Sequence, residues 1–127
     1  MFHYTVTTSK TVPTAVEDLE ANLKDIGFGV LWNFDLQSKL QEKGIDFQDQ
    51  HRVLEVCNPK EAEQVLNKNK LIGNFLPCKI TVYEEAGSTY ISMPRPSVLM
   101  ELAEEPALTA TAEDIEQRLI QGIDQTV

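Results

Sequence analysis

The chain has 127 residues, room for one well-buried core and not for two, and its 42% hydrophobic and 24% charged residues are those of a globular domain. No window approaches the roughly 18 to 20 consecutive apolar residues of a membrane helix, and a net charge of −9 argues against sequence-independent nucleic-acid binding, which depends on clustered Lys and Arg. Much of that charge is local: residues 101–127 carry seven acids against Arg118, a net of −6, which leaves −3 for the first hundred. A solvated helix face accounts for it most simply, an interaction tail being the alternative. The N-terminal MFHYTVTTSK lacks the basic and apolar regions of a signal peptide, so a cytoplasmic protein is expected.

Residues 2–8 alternate, with Phe2, Tyr4 and Val6 opposite His3, Thr5 and Thr7, as a half-buried strand requires. Thr11 then reads as an N-cap and Pro13 as first-turn proline of a helix whose stripe is Val16, Leu19, Leu23 and Ile26, with Gly27 as its stop. From Phe28 the period becomes two, placing Val30, Trp32, Phe34 and Leu36 on one face of a second strand. Asp35 is placed to cap a short helix through Leu36 and Leu40 that Gly44 ends. A polar loop leads to a third strand, residues 51–56, with Leu54 and Val56 opposite His51, Val53 and Glu55.

Asn58-Pro59-Lys60-Glu61 carries a full helix-start signal: Asn at the N-cap, Pro at N1, and Glu at N3 able to reach back to the cap. Ala62, Val65 and Leu66 give that helix its buried side, and a turn-rich stretch follows through Gly73. Residues 78–93 read as a hairpin turning at Glu85-Ala86-Gly87-Ser88, ended by Pro94 and Pro96, which cannot donate to a ladder. Ser97 is positioned to cap a short helix over residues 98–103, Pro106 breaks it, and Thr111 opens a last helix with Ile115, Leu119 and Ile123 inward.

The order β-α-β-α-β-α-β-β-α-α, with amphipathic and not uniformly apolar strands, predicts a single α+β domain over residues 1–127. Its sheet is expected to be mixed or mostly antiparallel, of about five strands, with helices packed on one face. The bare face is then available to a partner, and a homodimer is the simplest way to cover it.

Chemistry-bearing residues are few. Cys57 and Cys78 form no CxxC, and His3 and His51 complete no zinc spacing with them, so no metal and no cofactor is expected. No Gly-x-Ser-x-Gly, HExxH or phosphate loop occurs, and Gly27-Phe28-Gly29 precedes a strand instead of linking strand to helix. What stands out is a pair of Cys-Pro neighbourhoods, Cys57-Asn58-Pro59 and Pro77-Cys78-Lys79, each at an inferred strand end. If those strands are adjacent, the two cysteines share one edge of the sheet with Asn58, Pro59, Pro77 and Lys79 around a shallow pocket. Helix N-terminal amides next to Cys57 would lower its pKa, and burial would oppose them. Cys57 and His51 are the weak catalytic candidates, His51 because it opens a strand near Asp49 and Glu55. The plain alternative is that both cysteines pack as small hydrophobes.

These residues carry a resemblance. Gly27-Phe28-Gly29-Val30 leading into Phe34-Asp35-Leu36-Gln37 and Lys43-Gly44, then Arg52-Val53-Leu54, Cys57-Asn58-Pro59, Ile72-Gly73, Leu76-Pro77-Cys78 and Val82-Tyr83-Glu84, together resemble the domain of unknown function 302 family. The resemblance covers roughly residues 14–102 and leaves out a C-terminal acidic helix at about 111–124. Lys79 and Glu55 depart from the family pattern beside the cysteines. It implies a compact, dimeric α+β domain and brings no assigned activity with it.

The expectation is therefore a small cytoplasmic homodimer that binds or senses a small molecule without catalytic machinery of its own. The alternative is a thiol-dependent protein handling a sulfur species or a soft metal through Cys57 and Cys78. A third reading, an interaction protein using its acidic C-terminal helix, depends on that helix being free.

Overall fold

Alternation and helical stripes resolve into five strands and five α-helices in a computed structural model that describes residues 1–127. In chain order they are β1 (His3–Thr8), α1 (Val12–Asp25), β2 (Gly29–Asp35), α2 (Leu36–Glu42), β3 (His51–Cys57) and α3 (Pro59–Lys68), followed by β4 (Cys78–Glu85), β5 (Ser88–Pro94), α4 (Pro96–Leu102) and α5 (Thr109–Thr126). Short 3-10 turns at Lys70–Phe75 and Pro106–Leu108 complete the path. The strands form one antiparallel sheet in the order β1-β5-β4-β3-β2. Since β1 and β2 lie at opposite edges, α1 has to cross the sheet to connect them.

Local chemistry sets the element ends. Thr11 Oγ1 accepts from Thr14 N at 3.3 Å to start α1, and Asp35 Oδ1 accepts from Ser38 N at 3.0 Å to start α2. The hairpin between β4 and β5 closes through Ala86 and Gly87, both at positive φ (50° and 83°), as a two-residue turn matched to strand twist demands.

Leu54, Val56, Ile80, Val82, Ile91 and Met93 project from one side of the sheet into a core with Ala15, Leu19 and Leu23 of α1 and Leu119 and Ile123 of α5. Helices α1 and α5 pack closely enough that a Cβ on Gly122 would come within 2.9 Å of Leu23 Cδ2. A second, smaller cluster of Val65, Ile72, Met100, Leu108 and Ala112 gathers α3, α4, α5 and both 3-10 turns at one end of the molecule.

Three expectations change. A bulge between Val30 and Trp32 shifts the register of β2, so Val30 pairs with Val56 and packs on the core while Trp32 and Phe34 pair with Glu55 and Val53 on the other face. Simple alternation had put all three on one side, and an inserted residue is invisible to it. Ser97 does not cap α4: its backbone N and Oγ both donate to Glu116 Oε1, at 3.0 and 2.7 Å, and Arg95 stands at the cap position. The last helix begins two residues before Thr111 with no side-chain cap, and Glu116 on it is 3% exposed, so the acidic segment is not uniformly a solvated face.

The opposite face of the sheet carries no helix core. His51 stacks on Tyr83 and Tyr83 on Tyr90, at 5.2 and 5.4 Å between ring centres, while Trp32 and Phe34 lie 5.1 Å apart near the β2 edge. Thr5 Oγ1 and Ser92 Oγ share a 2.6 Å hydrogen bond toward the β1 edge.

Candidate functional site

The cysteine corner is assembled by the antiparallel pairing of β3 with β4. Val56 pairs with Cys78 and Gly29 with Cys57, so the last residue of β3 and the first of β4 lie diagonally at the same end of the sheet. Asn58 then ends the strand by capping α3: its Oδ1 accepts from Glu61 N at 3.2 Å, and its Nδ2 donates to Gly27 O at 3.1 Å, tying α3 to the turn before β2. Gly27 takes a φ of +89°, and a Cβ there would crowd Asn58 Nδ2 at 3.3 Å. On the β4 side the chain enters Cys78 through a cis Leu76-Pro77 bond.

Both cysteines are free and half-buried. Burial raises the Cys57 thiol above its ordinary 9.0. Cys78 is pushed up to about 11, chiefly by burial, then by the nearby charges of Cys57 and Glu61. The direction is opposite to the lowering expected from the helix N-terminus, because desolvation disfavours the charged form of a thiol in an apolar setting. Neither residue stands as an activated thiolate at neutral pH.

Between the two core clusters a cleft of about 330 Å³ opens. Its lining is mainly apolar, with Val65, Ile72, Phe75, Leu76, Leu99, Met100, Leu108, Ala112, Ile115 and Leu119, and includes Pro77, Cys78, Lys79, Asn74, Thr111, Pro94 and Pro96. A second space of about 30 Å³ lies beside it, lined by Cys57, Asn58, Glu61 and Phe28 among others. The two share Val65, Leu76, Cys78 and Ile115, and so meet across those side chains.

The predicted residues are thus brought partly together. Pro77, Cys78 and Lys79 line the cleft, Cys57 and Asn58 the small space, and Cys78 both. Pro59 is exposed in the first turn of α3 and lines neither. Lys79 reaches Glu55 across the strands at 3.8 Å, joining the two departures from the family pattern in one long, weak ion pair between an exposed lysine and a half-buried glutamate. His51 begins the strand that Cys57 ends, about 20 Å away at strand rise, stacked on Tyr83 with its pKa lowered by burial. It has no part in the cysteine corner. No group of three or more His, Cys, Asp or Glu gathers in a metal-holding arrangement.

Two charged groups went unrecognised in the sequence. Glu61, expected to reach back to the Asn58 cap, instead pairs with Arg118 of α5, which also holds Asp114 at 2.9 Å and lies 5.2 Å over the Phe28 ring. Glu116 is buried between Ser97 and Arg95, whose Nε donates to it at 3.2 Å. Arg118 offered a signal: it is the sole cation in the −6 C-terminal segment, a position that a merely solvated helix does not demand.

Fold and site together define a two-layer α+β domain with an antiparallel sheet, helices α1 and α5 over one face, and an apolar cleft at the end where two cysteines meet. The chain belongs to the DUF302 family: the family model described as "Domain of unknown function DUF302" matches residues 4–126, a wider span than the motifs at 14–102 and one that takes in α5. It is similar over its whole length to the crystal structure of an uncharacterized conserved DUF302 protein from Bacillus stearothermophilus, with 52% sequence identity, a TM-score of 0.97, and coverage of 100% of this chain and 99% of that one. No curated protein matches it. No helix is long and apolar enough to cross a membrane.

Proposed function

We propose that this protein is a cytoplasmic, non-enzymatic small-molecule binder that works as a homodimer, with the cleft beside Cys78 as its ligand site. The cleft carries the reading: about 330 Å³ lies within the size range of small-molecule pockets, and its walls are aliphatic and aromatic with a few polar groups, as such pockets are. Pro77, Cys78 and Lys79 belong to this site directly, and Cys57 and Asn58 through the adjoining space. The dimer reading rests on the open sheet face, where aromatic rings and Thr-Ser pairs stand without a helix layer and most of the chain's acids are elsewhere.

Titration with an apolar fluorophore tests the site. Bound dye should brighten with the native protein, and Thr111→Phe, which adds a ring to the lining without removing a core side chain, should weaken binding at least several-fold while leaving the melting temperature near that of the parent. Dye binding indifferent to Thr111→Phe would refute the cleft. Sedimentation tests the dimer, with Tyr83→Lys expected to shift it toward monomer; a native protein that sediments as a monomer would refute it. A thiol-based function has the juxtaposition of Cys57 and Cys78 in its favour and the raised pKa of both against it.

A further inference from the structure

One wall of the cleft is a strap, residues 95–108, that runs from the end of β5 through α4 to the start of α5. Leu99, Met100 and Leu108 of this strap line the cleft, and Ile72, Asn74 and Phe75 line it from the 3-10 turn at Lys70–Phe75. Both ends of the strap are anchored. Arg95 N donates to Phe2 O at 2.7 Å, Arg95 Nε and Ser97 N donate to the buried Glu116 at 3.2 and 3.0 Å, and Leu108, 2% exposed, sits in the second cluster. The middle is held differently. Asn69 Nδ2, at the start of the 3-10 turn, donates to Glu105 Oε2 at 2.7 Å, and this is the one side-chain hydrogen bond between the two walls. Next to it Glu104 takes a φ of +53°, a left-handed conformation that costs free energy in a residue other than Gly or Asn.

We propose that the α4 strap is a gate on the cleft, latched shut by the Asn69–Glu105 bond and sprung by the left-handed Glu104. The inference rests on the cleft reading above and adds how a ligand gets in. A strained residue beside a single holding bond makes a two-state element: breaking the bond frees Glu104 to return to an ordinary φ, and remaking it forces the conformation back. Packing sets which state dominates. Met100 is 8% exposed and Leu99 packs against the same cluster, so an open strap gives up apolar burial and is the minor state. Glu101, Leu102 and Glu104 are already in solvent and lose nothing by moving. The anchors decide what moves. With Arg95 and Ser97 fixed on Glu116 and Leu108 fixed in the cluster, the freedom lies in the last turn of α4 and in residues 103–105, the stretch that the latch closes.

Amide hydrogen exchange, which needs no ligand, reads the strap, and stopped-flow mixing with the apolar fluorophore reads its effect on the cleft. Glu105→Ala removes the acceptor. It should speed exchange of the Ala103 and Glu104 amides, which bond to Leu99 O and Glu101 O, by roughly tenfold or more, the scale of one hydrogen bond to a charged group. Leu54 and Ile80 amides in the sheet should keep the parent's rates, which separates opening of the strap from loss of the fold. Association and release of the fluorophore should quicken by a similar factor with little change in affinity, because the latch closes the empty and the filled cleft alike. Glu104→Asn, which accepts a positive φ more readily, should slow both strap exchange and dye entry. Strap exchange unchanged in Glu105→Ala, or raised equally in the sheet, would overturn the latch, and a Glu104→Asn strap as fast as the parent's would overturn the spring. Faster strap exchange with unchanged dye entry would overturn the gate and leave the cleft reading standing. A native protein that takes up no dye would remove the cleft reading and the gate with it.

Discussion

Separating the two cysteines by reactivity gives the sharpest check on the thiol alternative. The perturbation is pH, and the readout is alkylation by iodoacetamide at each site, followed by mass spectrometry on native protein. With its pKa near 11, Cys78 is about one part in a thousand thiolate at pH 8, against about one part in ten for a thiol at its ordinary 9.0. Since only the thiolate attacks, Cys78 should react about a hundredfold more slowly than a free cysteine of that pKa, with a rate still climbing above pH 10. Partial shielding by Leu76 and Ile115, which line the same space, slows it further. Cys57 is shifted in the same direction and should also lag a free thiol, its midpoint above 9.0. Denaturant should bring both to the ordinary rate. A fast reaction at Cys57 with a midpoint below about 8.5 would refute this reasoning, because it would mean that the α3 amides outweigh burial and that the corner holds an active thiolate.

Two further predictions concern α5. Glu116→Gln should cost about 1 to 3 kcal/mol in urea unfolding at neutral pH, since it removes a buried carboxylate bonded to Ser97 and Arg95. Burial opposes that charge, yet the Ser97 and Arg95 bonds prevail and hold its pKa below the ordinary 4.5; the stability it contributes is therefore present above that value and lost as pH falls through the lower folded value. The gap between parent and variant should narrow in acid, and a gap constant from pH 7 to 3 would contradict the assignment. Deleting residues 106–127 should abolish the native circular-dichroism spectrum. It strips Leu119 and Ile123 from the core, each worth roughly 1.5 to 3 kcal/mol of burial, and uncovers α1, in a domain whose total stability is on the order of 5 to 15 kcal/mol. A folded, cooperative truncation would return α5 to the role of a detachable acidic helix.

Element order, the hairpin, the caps of α1, α2 and α3 and the core faces of β3 and β4 were legible because each rests on chemistry within a few residues. Thr11, Asp35 and Asn58 cap through their own side chains, and Leu54, Val56, Ile80 and Val82 keep strict alternation. What escaped depended on partners far away in the chain. The β2 bulge is defined by the register with β3, and Ser97 is drawn from capping by a carboxylate nineteen residues on. Within the site, the shared position of Cys57 and Cys78 followed from two strand ends, whereas the cleft did not. Its walls are contributed by α3, α4, α5 and the turn before β4, and no single segment spells it.

The cleft and the charge pattern of α5 are consequences of the same arrangement. Helix α5 seals the main core with Leu119 and Ile123 near its end, while near its start Ala112 belongs to the second cluster, and the two clusters do not merge. Around the cleft, α3 and the start of α4 are each tied to α5 by polar contacts: Glu61 to Arg118 on one side, Arg95 and Ser97 to Glu116 on the other. Ala112 and Ile115 face the opening between these two anchors. Three of the segment's charges, Asp114, Glu116 and Arg118, thus have structural partners, and the acidity that reads in the sequence as a solvated face is in part internal structure.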